Sequence, residues 1–159
     1  MTEAKGRPGS IAAGRGAARL AAVQALYQMD LAGTDMAAVI AEFLAFRFGG
    51  SDEGALPAEA DAVHFDRLVR GVVGRQRDID PPIDDQLAEG WRLYRIDTTV
   101  RAILRAGAYE LLAMRDIPAR VVISEYVEVA KSFFDAVEPK VVNGVLDKLA
   151  RRFREGELD

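Results

Sequence analysis

Apolar residues in this chain recur at intervals of three and four, the spacing of one helix face, and nowhere alternate over a useful length as in a half-buried strand. The pattern predicts about seven helices. An Ala-rich stretch from Ile11 to Leu31 carries Leu20, Val23, Leu26, Tyr27 and Leu31 as its stripe, and Gly33-Thr34 ends it. Thr34 then caps a helix over 35–48 with Val39, Ile40, Phe43, Leu44 and Phe46 at helical spacing. A polar, glycine-rich loop over 49–57 precedes a third helix over 58–78, with Phe65, Leu68, Val69, Val72 and Val73 inward. Asp80-Pro81-Pro82 reads as a restart, with Asp80 as the cap of a short helix over 81–90 that Gly90 stops. Asp97-Thr98-Thr99 opens the fifth helix, Pro118 the sixth (119–134), and Glu138-Pro139 the last. Val122, Tyr126, Val129, Ala130 and Phe133 point inward on the sixth, and Val142, Val145, Leu146, Leu149 and Phe153 on the seventh. The expected organisation is a flexible basic tail over 1–10 and a single all-α domain over 11–155.

Composition narrows the picture. A chain of 159 residues, half of them hydrophobic and 29% charged, is sized and balanced for one globular core. The longest uncharged run, Leu20 to Met29, is too short to cross a bilayer, which takes about 20 residues. There is no cysteine and one histidine, which argues against disulfides, thiolate chemistry and a zinc site; no metal and no cofactor are expected. With no apolar signal segment near Met1, the cytoplasm is the expected compartment. The net charge of −4 hides a division: residues 1–29 carry +3, residues 30–90 carry −8 and residues 91–159 carry +1. A basic arm on an acidic body touches nucleic acid locally, while the overall field repels it, so RNA binding by the protein alone should be weak.

The chemistry-bearing residues point away from catalysis. His64 has no serine or cysteine partner at a useful spacing, and Asp84-Asp85 diverge on a helix. No Gly-x-x-x-x-Gly-Lys-Ser/Thr loop is present, so no phosphate cradle and no enzyme is expected. The binding features are stronger. Arg15 and Arg19 stand i,i+4 on the first helix, with Lys5 and Arg7 just upstream, and arginine both chelates phosphate and stacks on bases. Tyr27 lies two turns beyond Arg19; its spacing alone fits either core or a stacking platform. Gly107 and Gly144 sit inside helices, where each costs about 1 kcal/mol relative to Ala, and read as points of close helix–helix approach.

Three stretches are distinctive together: Ala22-Val23-Gln24-Ala25-Leu26-Tyr27-Gln28-Met29-Asp30-Leu31; Arg95-Ile96-Asp97 followed by Ile103 to Leu112; and Ile117-Pro118 through Ala130-Lys131-Ser132-Phe133 to Val142-Asn143-Gly144-Val145-Leu146-Asp147-Lys148. Over about Ile11 to Arg152 the chain resembles the NusB family of transcription antitermination and ribosomal-RNA maturation factors. The resemblance implies two three-helix bundles packed across each other. It implies pairing with NusE, a small-subunit ribosomal protein, to bind the boxA element of nascent RNA, and with other Nus factors to act on RNA polymerase. A basic co-binder is what an acidic body with a thin basic arm would need.

Carried over by position, the family's RNA-contacting arginine cluster falls on Arg15 and Arg19, thinned by Gly14, Gly16, Ala17 and Ala18 and supplemented by Lys5 and Arg7. Tyr27 matches the family tyrosine at the RNA and partner surface. Lys140 and Val141 stand where the family has RNA contacts, Val141 replacing a stacking aromatic, and the preceding loop 134–138 departs from the usual Gly-and-acid-rich form. NusE docking is expected across Tyr27, Tyr94, Arg95 and Asp97. Two alternatives stand beside this reading. One is a protein–protein adaptor that forms a homodimer without strong RNA binding. The other, an RNA-binding module of a ribosomal-RNA cytosine methyltransferase, is disfavoured because no Rossmann domain is expected in so short a chain.

Overall fold

The computed structural model describes residues 8–48, 55–57 and 60–158. Among them are seven α-helices and no strand: α1 Pro8–Ala32, α2 Met36–Phe46, α3 Ala62–Gly74, α4 Gln76–Gln86, α5 Thr98–Ala113, α6 Ala119–Phe133 and α7 Val137–Phe153. The helices group into two compact units, Met1–Arg70 and Gly71–Asp159.

In the first unit α1 packs on α2. α1 starts at Pro8, inside the stretch expected to be tail. Its buried face is Ala18, Ala21, Ala22, Val23, Ala25 and Leu26, a surface built largely of methyl groups. Leu31, placed on the stripe, is exposed. Asp35, not Thr34, caps α2, accepting from the Ala38 N–H. Arg47 closes α2 and ties it to α1: its guanidinium donates to Gln24 Oε1 at 2.9 Å and lies over the Phe43 ring. Asp61 performs the same service for α3, accepting from the His64 N–H, while its own N–H donates to Gly14 O. Phe65 of α3 stacks on Phe43 at a centroid distance of 5.5 Å and meets Phe48 at 4.9 Å.

In the second unit α5, α6 and α7 pack on one another pairwise, and α4 lies against α5 and α7. The break before α4 falls at Arg75, not at Asp80, and α4 stops at Gln86, short of Gly90; Pro81 and Pro82 lie inside the helix. A proline in a helix interior costs about 3 kcal/mol. Here that is offset by what the turn presents: Ile79, Pro82 and Ile83 are buried, and Asp80 accepts two bonds from Arg105, at 3.0 and 2.9 Å, and one from Gln76 at 3.1 Å. The residue read as a cap is a cross-helix clamp. Asp97 caps α5 as expected, accepting from the Thr99 and Val100 N–H groups.

Two buried polar devices complete the unit. The Tyr126 hydroxyl of α6 donates to the Glu110 carboxylate of α5, both inside the core. Arg154, just past α7 and 2% exposed, sends its guanidinium to the carbonyls of Glu110, Leu111, Met114 and Ile117. The last turn of a helix leaves carbonyls without intrahelical partners; here one side chain reaches two carbonyls at the end of α5, Glu110 and Leu111, and two in the link to α6. Glu157 accepts from the Ala119 N–H and from Arg154, and the Ala119 bond, more than the nearby cation, holds its carboxyl below the ordinary glutamate value.

The glycines divide. A Cβ on Gly107 would stand 2.9 Å from Leu146 Cδ1, so α5 and α7 do approach closely there. At Gly144 nothing lies within 4 Å, and the expected close approach is absent. At Gly71 the fit is tighter than at Gly107: a Cβ would overlap the Tyr109 ring.

Candidate binding surfaces

On α1 the two arginines share a face, and it is turned toward the protein to different depths. Arg15 is half-buried, with its Nε enclosed and no acceptor for it, whereas Arg19 is 2% exposed. Arg19 belongs to the alanine face, between Ala18 and Ala21, and the expectation that it reaches phosphate is corrected: burial keeps its guanidinium inside the protein. The i,i+4 spacing was read correctly, but that this side of an alanine-rich helix is buried was not. Tyr27, eight residues further, is 38% exposed. Lys5 and Arg7 lie outside the described residues.

In the second unit the link between α4 and α5 is pinned at both sides of its tip. Asp84 accepts from the Leu93 N–H at 3.0 Å and from Arg92. Arg101 of α5 donates to Leu93 O at 2.9 Å and to Ile96 O. Leu93 is buried; Tyr94, next to it, is 71% exposed, with the Arg95 guanidinium 5.4 Å from its ring centroid. Tyr94 and Arg95 are thus displayed together at the surface. Asp97 is exposed, but one carboxylate oxygen caps α5.

Lys140 and Val141 sit in the first turns of α7, the lysine exposed and the valine half-buried. Phe133, assigned to the inward stripe of α6, is instead 43% exposed. Its ring centroid lies 6.4 Å from that of Phe134. A groove of about 550 Å³ runs between α6 and α7, lined by Arg120, Ser124, Lys131, Asn143, Asp147 and Arg151 among others. Its charges pair within each helix: Glu128 with Lys131 at 3.2 Å and Asp147 with Arg151 at 3.0 Å. The signal for this groove was in the sequence, as polar residues four apart on two helices.

The residues weighed for catalysis are all engaged structurally. His64 is buried on α3, Asp84 holds the α4–α5 link, and Asp85 pairs with Arg152 at 3.4 Å. No helix among the described residues is long and apolar enough to cross a membrane.

Comparison with known proteins adds an independent line. Residues 16–151 match the sequence model of the NusB family. The transcription antitermination protein NusB of Mesorhizobium japonicum is 55% identical over 140 residues, covering 88% of this chain and 90% of that protein. That of Rhodopseudomonas palustris is 57% identical over 144 residues, covering 91% and 83%. Among solved structures, NusB of T. maritima is similar at a TM-score of 0.71 with 33% identity, covering 86% of this chain and 90% of that one. A chain from the complex of antitermination factors NusB and NusE with double-stranded RNA is similar at 0.73 with 25% identity, covering 87% and 97%.

Proposed function

Because this chain belongs to the NusB family, we propose that it is a transcription antitermination factor that pairs with NusE to bind boxA RNA of nascent ribosomal-RNA transcripts. Through that complex it acts, with other Nus factors, on RNA polymerase in the cytoplasm. The observation that carries the reading is the family match over residues 16–151, supported by the likeness to a NusB chain solved with NusE and RNA. The role proposed is one of binding: Asp84 holds the α4–α5 link and Asp85 pairs with Arg152.

The charge distribution supports the need for a partner. With −8 over residues 30–90, the body repels a phosphate backbone, and a basic protein beside it reverses the local field. Gel shift with a boxA oligonucleotide, with and without NusE, tests this. We expect a shift with NusE and little without. No shift in either case would favour a homodimeric adaptor.

On α1 the RNA contact is assigned to Arg15, joined by Lys5 and Arg7, and no longer to Arg19. One lost phosphate contact on a single strand flattens the log–log salt dependence by about 0.7. Arg15→Ala should therefore flatten the slope of the ternary complex by about 0.7, with boxA and unrelated RNA alike, because phosphate contacts carry no sequence information. An unchanged slope would remove Arg15 from the interface.

Tyr27, Tyr94, Arg95 and Asp97 are proposed to meet NusE. Exposed tyrosines suit an interface, with an apolar ring and a polar tip. Replacing both tyrosines by alanine should leave the helical signal intact and weaken NusE capture by about tenfold or more, the range of an interface hot spot. Capture at wild-type strength would place NusE elsewhere.

A further inference from the structure

None of the described residues assigned above to NusE or RNA lines the groove between α6 and α7. The two helices follow one another across the short link 134–136 and pack together, so they run antiparallel, as the bond from Ala119 at the start of α6 to Glu157 beyond α7 confirms. Arg120, Ser124, Glu128 and Lys131 stand at i, i+4, i+8 and i+11 on α6, one line of side chains along the groove. Asn143, Asp147 and Arg151 form the facing line on α7. Arg120 and Arg151 therefore share one end, and Lys131 and Asn143 the other. Charge along the groove runs positive, negative, positive: two arginines, then Asp147 and Glu128, then Lys131. The pattern spans about 16 Å, or about three helical turns. Its floor is apolar, with Ile123 buried and Val127 half-buried.

Two features leave the groove open to a further chain. Arg120 is exposed, and its guanidinium has no hydrogen bond or ion pair among the described residues. The other charges pair within their own helix, Lys131 with Glu128 at 3.2 Å and Arg151 with Asp147 at 3.0 Å, and both pairs are exposed. Exposed pairs of this kind contribute little to folding, so another chain can take up their charges. Gly144 is the second feature. It lies three residues before Asp147 and seven before Arg151, on that face of α7. Glycine weakens a helix, yet among the described residues nothing lies within 4 Å of a Cβ built there. The missing side chain serves no contact inside the chain and leaves the α7 backbone open to close approach from outside.

We propose that the α6–α7 groove is a docking site for an amphipathic helix of a partner protein. The facing side of that helix carries an acidic residue at each end, a basic residue between them and apolar residues along the floor. A helix packs along such a groove by seating its side chains between the ridges of its neighbours. Its acidic ends meet Arg120 and Arg151 at one end and Lys131 at the other, its basic residue meets Asp147 and Glu128, and Gly144 lets the backbones close up. A phosphate backbone does not match this order, because at mid-groove it meets carboxylates of its own sign. Charge order of this kind sets which partner is accepted more than how tightly.

The probe is a labelled synthetic peptide of about 18 residues, long enough to hold a helix when its ends are blocked. It carries Glu at both ends of the facing side, Lys at the centre and Leu between, and is titrated with the full chain by fluorescence anisotropy. The wild type is expected to bind it. Arg120→Glu should weaken binding by about tenfold or more, since like charges then meet at one end. A peptide with Lys at that end should restore it. Gly144→Leu should weaken binding as well, with an unchanged helical signal in circular dichroism. No binding by the wild type, or equal binding of a peptide of the same composition with scrambled charge order, overturns the proposal. Displacement of the peptide by NusE would make the groove part of the NusE surface and overturn it too. So would a weaker boxA shift by the Arg120→Glu variant with NusE, which would make the groove an RNA surface. The peptide titration needs neither NusE nor RNA, so failure of the function proposed above would leave this result standing.

Discussion

Replacing Arg154 by methionine is expected to lower the unfolding free energy by about 3–5 kcal/mol, the scale of removing one partner from a buried charged network. Methionine fills similar volume, so the loss isolates the guanidinium. Four buried carbonyls lose the guanidinium: those of Glu110 and Met114 keep a backbone N–H donor, while those of Leu111 and Ile117 lose the side-chain donor described for them. Each buried acceptor left unsatisfied costs about 1–3 kcal/mol, which relaxation of the α5–α6 link reduces in sum. Urea unfolding followed by circular dichroism reads the change as a fall in midpoint. A loss below about 1 kcal/mol would show that the carbonyls find other donors and that Arg154 is not the cap of α5.

The second large effect distinguishes two glycines that look alike in the sequence. Gly71→Val should destabilise by about 3 kcal/mol, the upper range for overpacking a fitted contact. The added Cβ overlaps ring carbons of Tyr109, which can yield only by swinging the whole ring. For a chain of this length the melting temperature should fall by about 6–12 °C. Gly144→Ala is expected to change stability in the opposite direction by about 1 kcal/mol, because nothing lies within 4 Å and alanine favours helix. Melting of both variants within two degrees of wild type (about 0.5 kcal/mol or less) would refute the packing argument.

What could be read beforehand follows from where apolar side chains are large. α5, α6 and α7 carry Ile103, Leu104, Leu111, Val122, Tyr126, Val142 and Leu146 inward, as the spacing predicted, since one face of each is bulky and the other charged. α1 misled because its buried side is alanine, a residue nearly neutral between core and surface. Val23 and Leu26 of the expected stripe are buried while Tyr27 and Leu31 are exposed, and Arg19 was placed outside because the alanines around it gave no sign of the buried side. The helix break at Arg75 was misplaced because prolines signal a start, and only the Asp80–Arg105 clamp, 25 residues apart, makes a proline-containing turn worth keeping. Gly71 gave no local sign, since its constraint comes from Tyr109 on another helix. Of the site, Tyr27, Tyr94, Arg95 and Lys140 emerge exposed as expected. The exposure of Phe133 was hidden by its helical phase, which places it with residues that are buried earlier on α6.

The anchoring of the α4–α5 link bears on the thermodynamics of whatever docks there. Asp84 and Arg101 grip Leu93 from two helices, so Tyr94 and Arg95 project from backbone that is already ordered. Ordering a loop on contact would consume interaction energy, and immobilising each flexible side chain costs about 0.5–1.5 kcal/mol. That expense falls here on the folding of the second unit, before any encounter. A partner meeting this tip can dock as onto a rigid body, with little structural rearrangement to slow association, and differences in affinity among partner variants should then reside chiefly in how long the complex lasts.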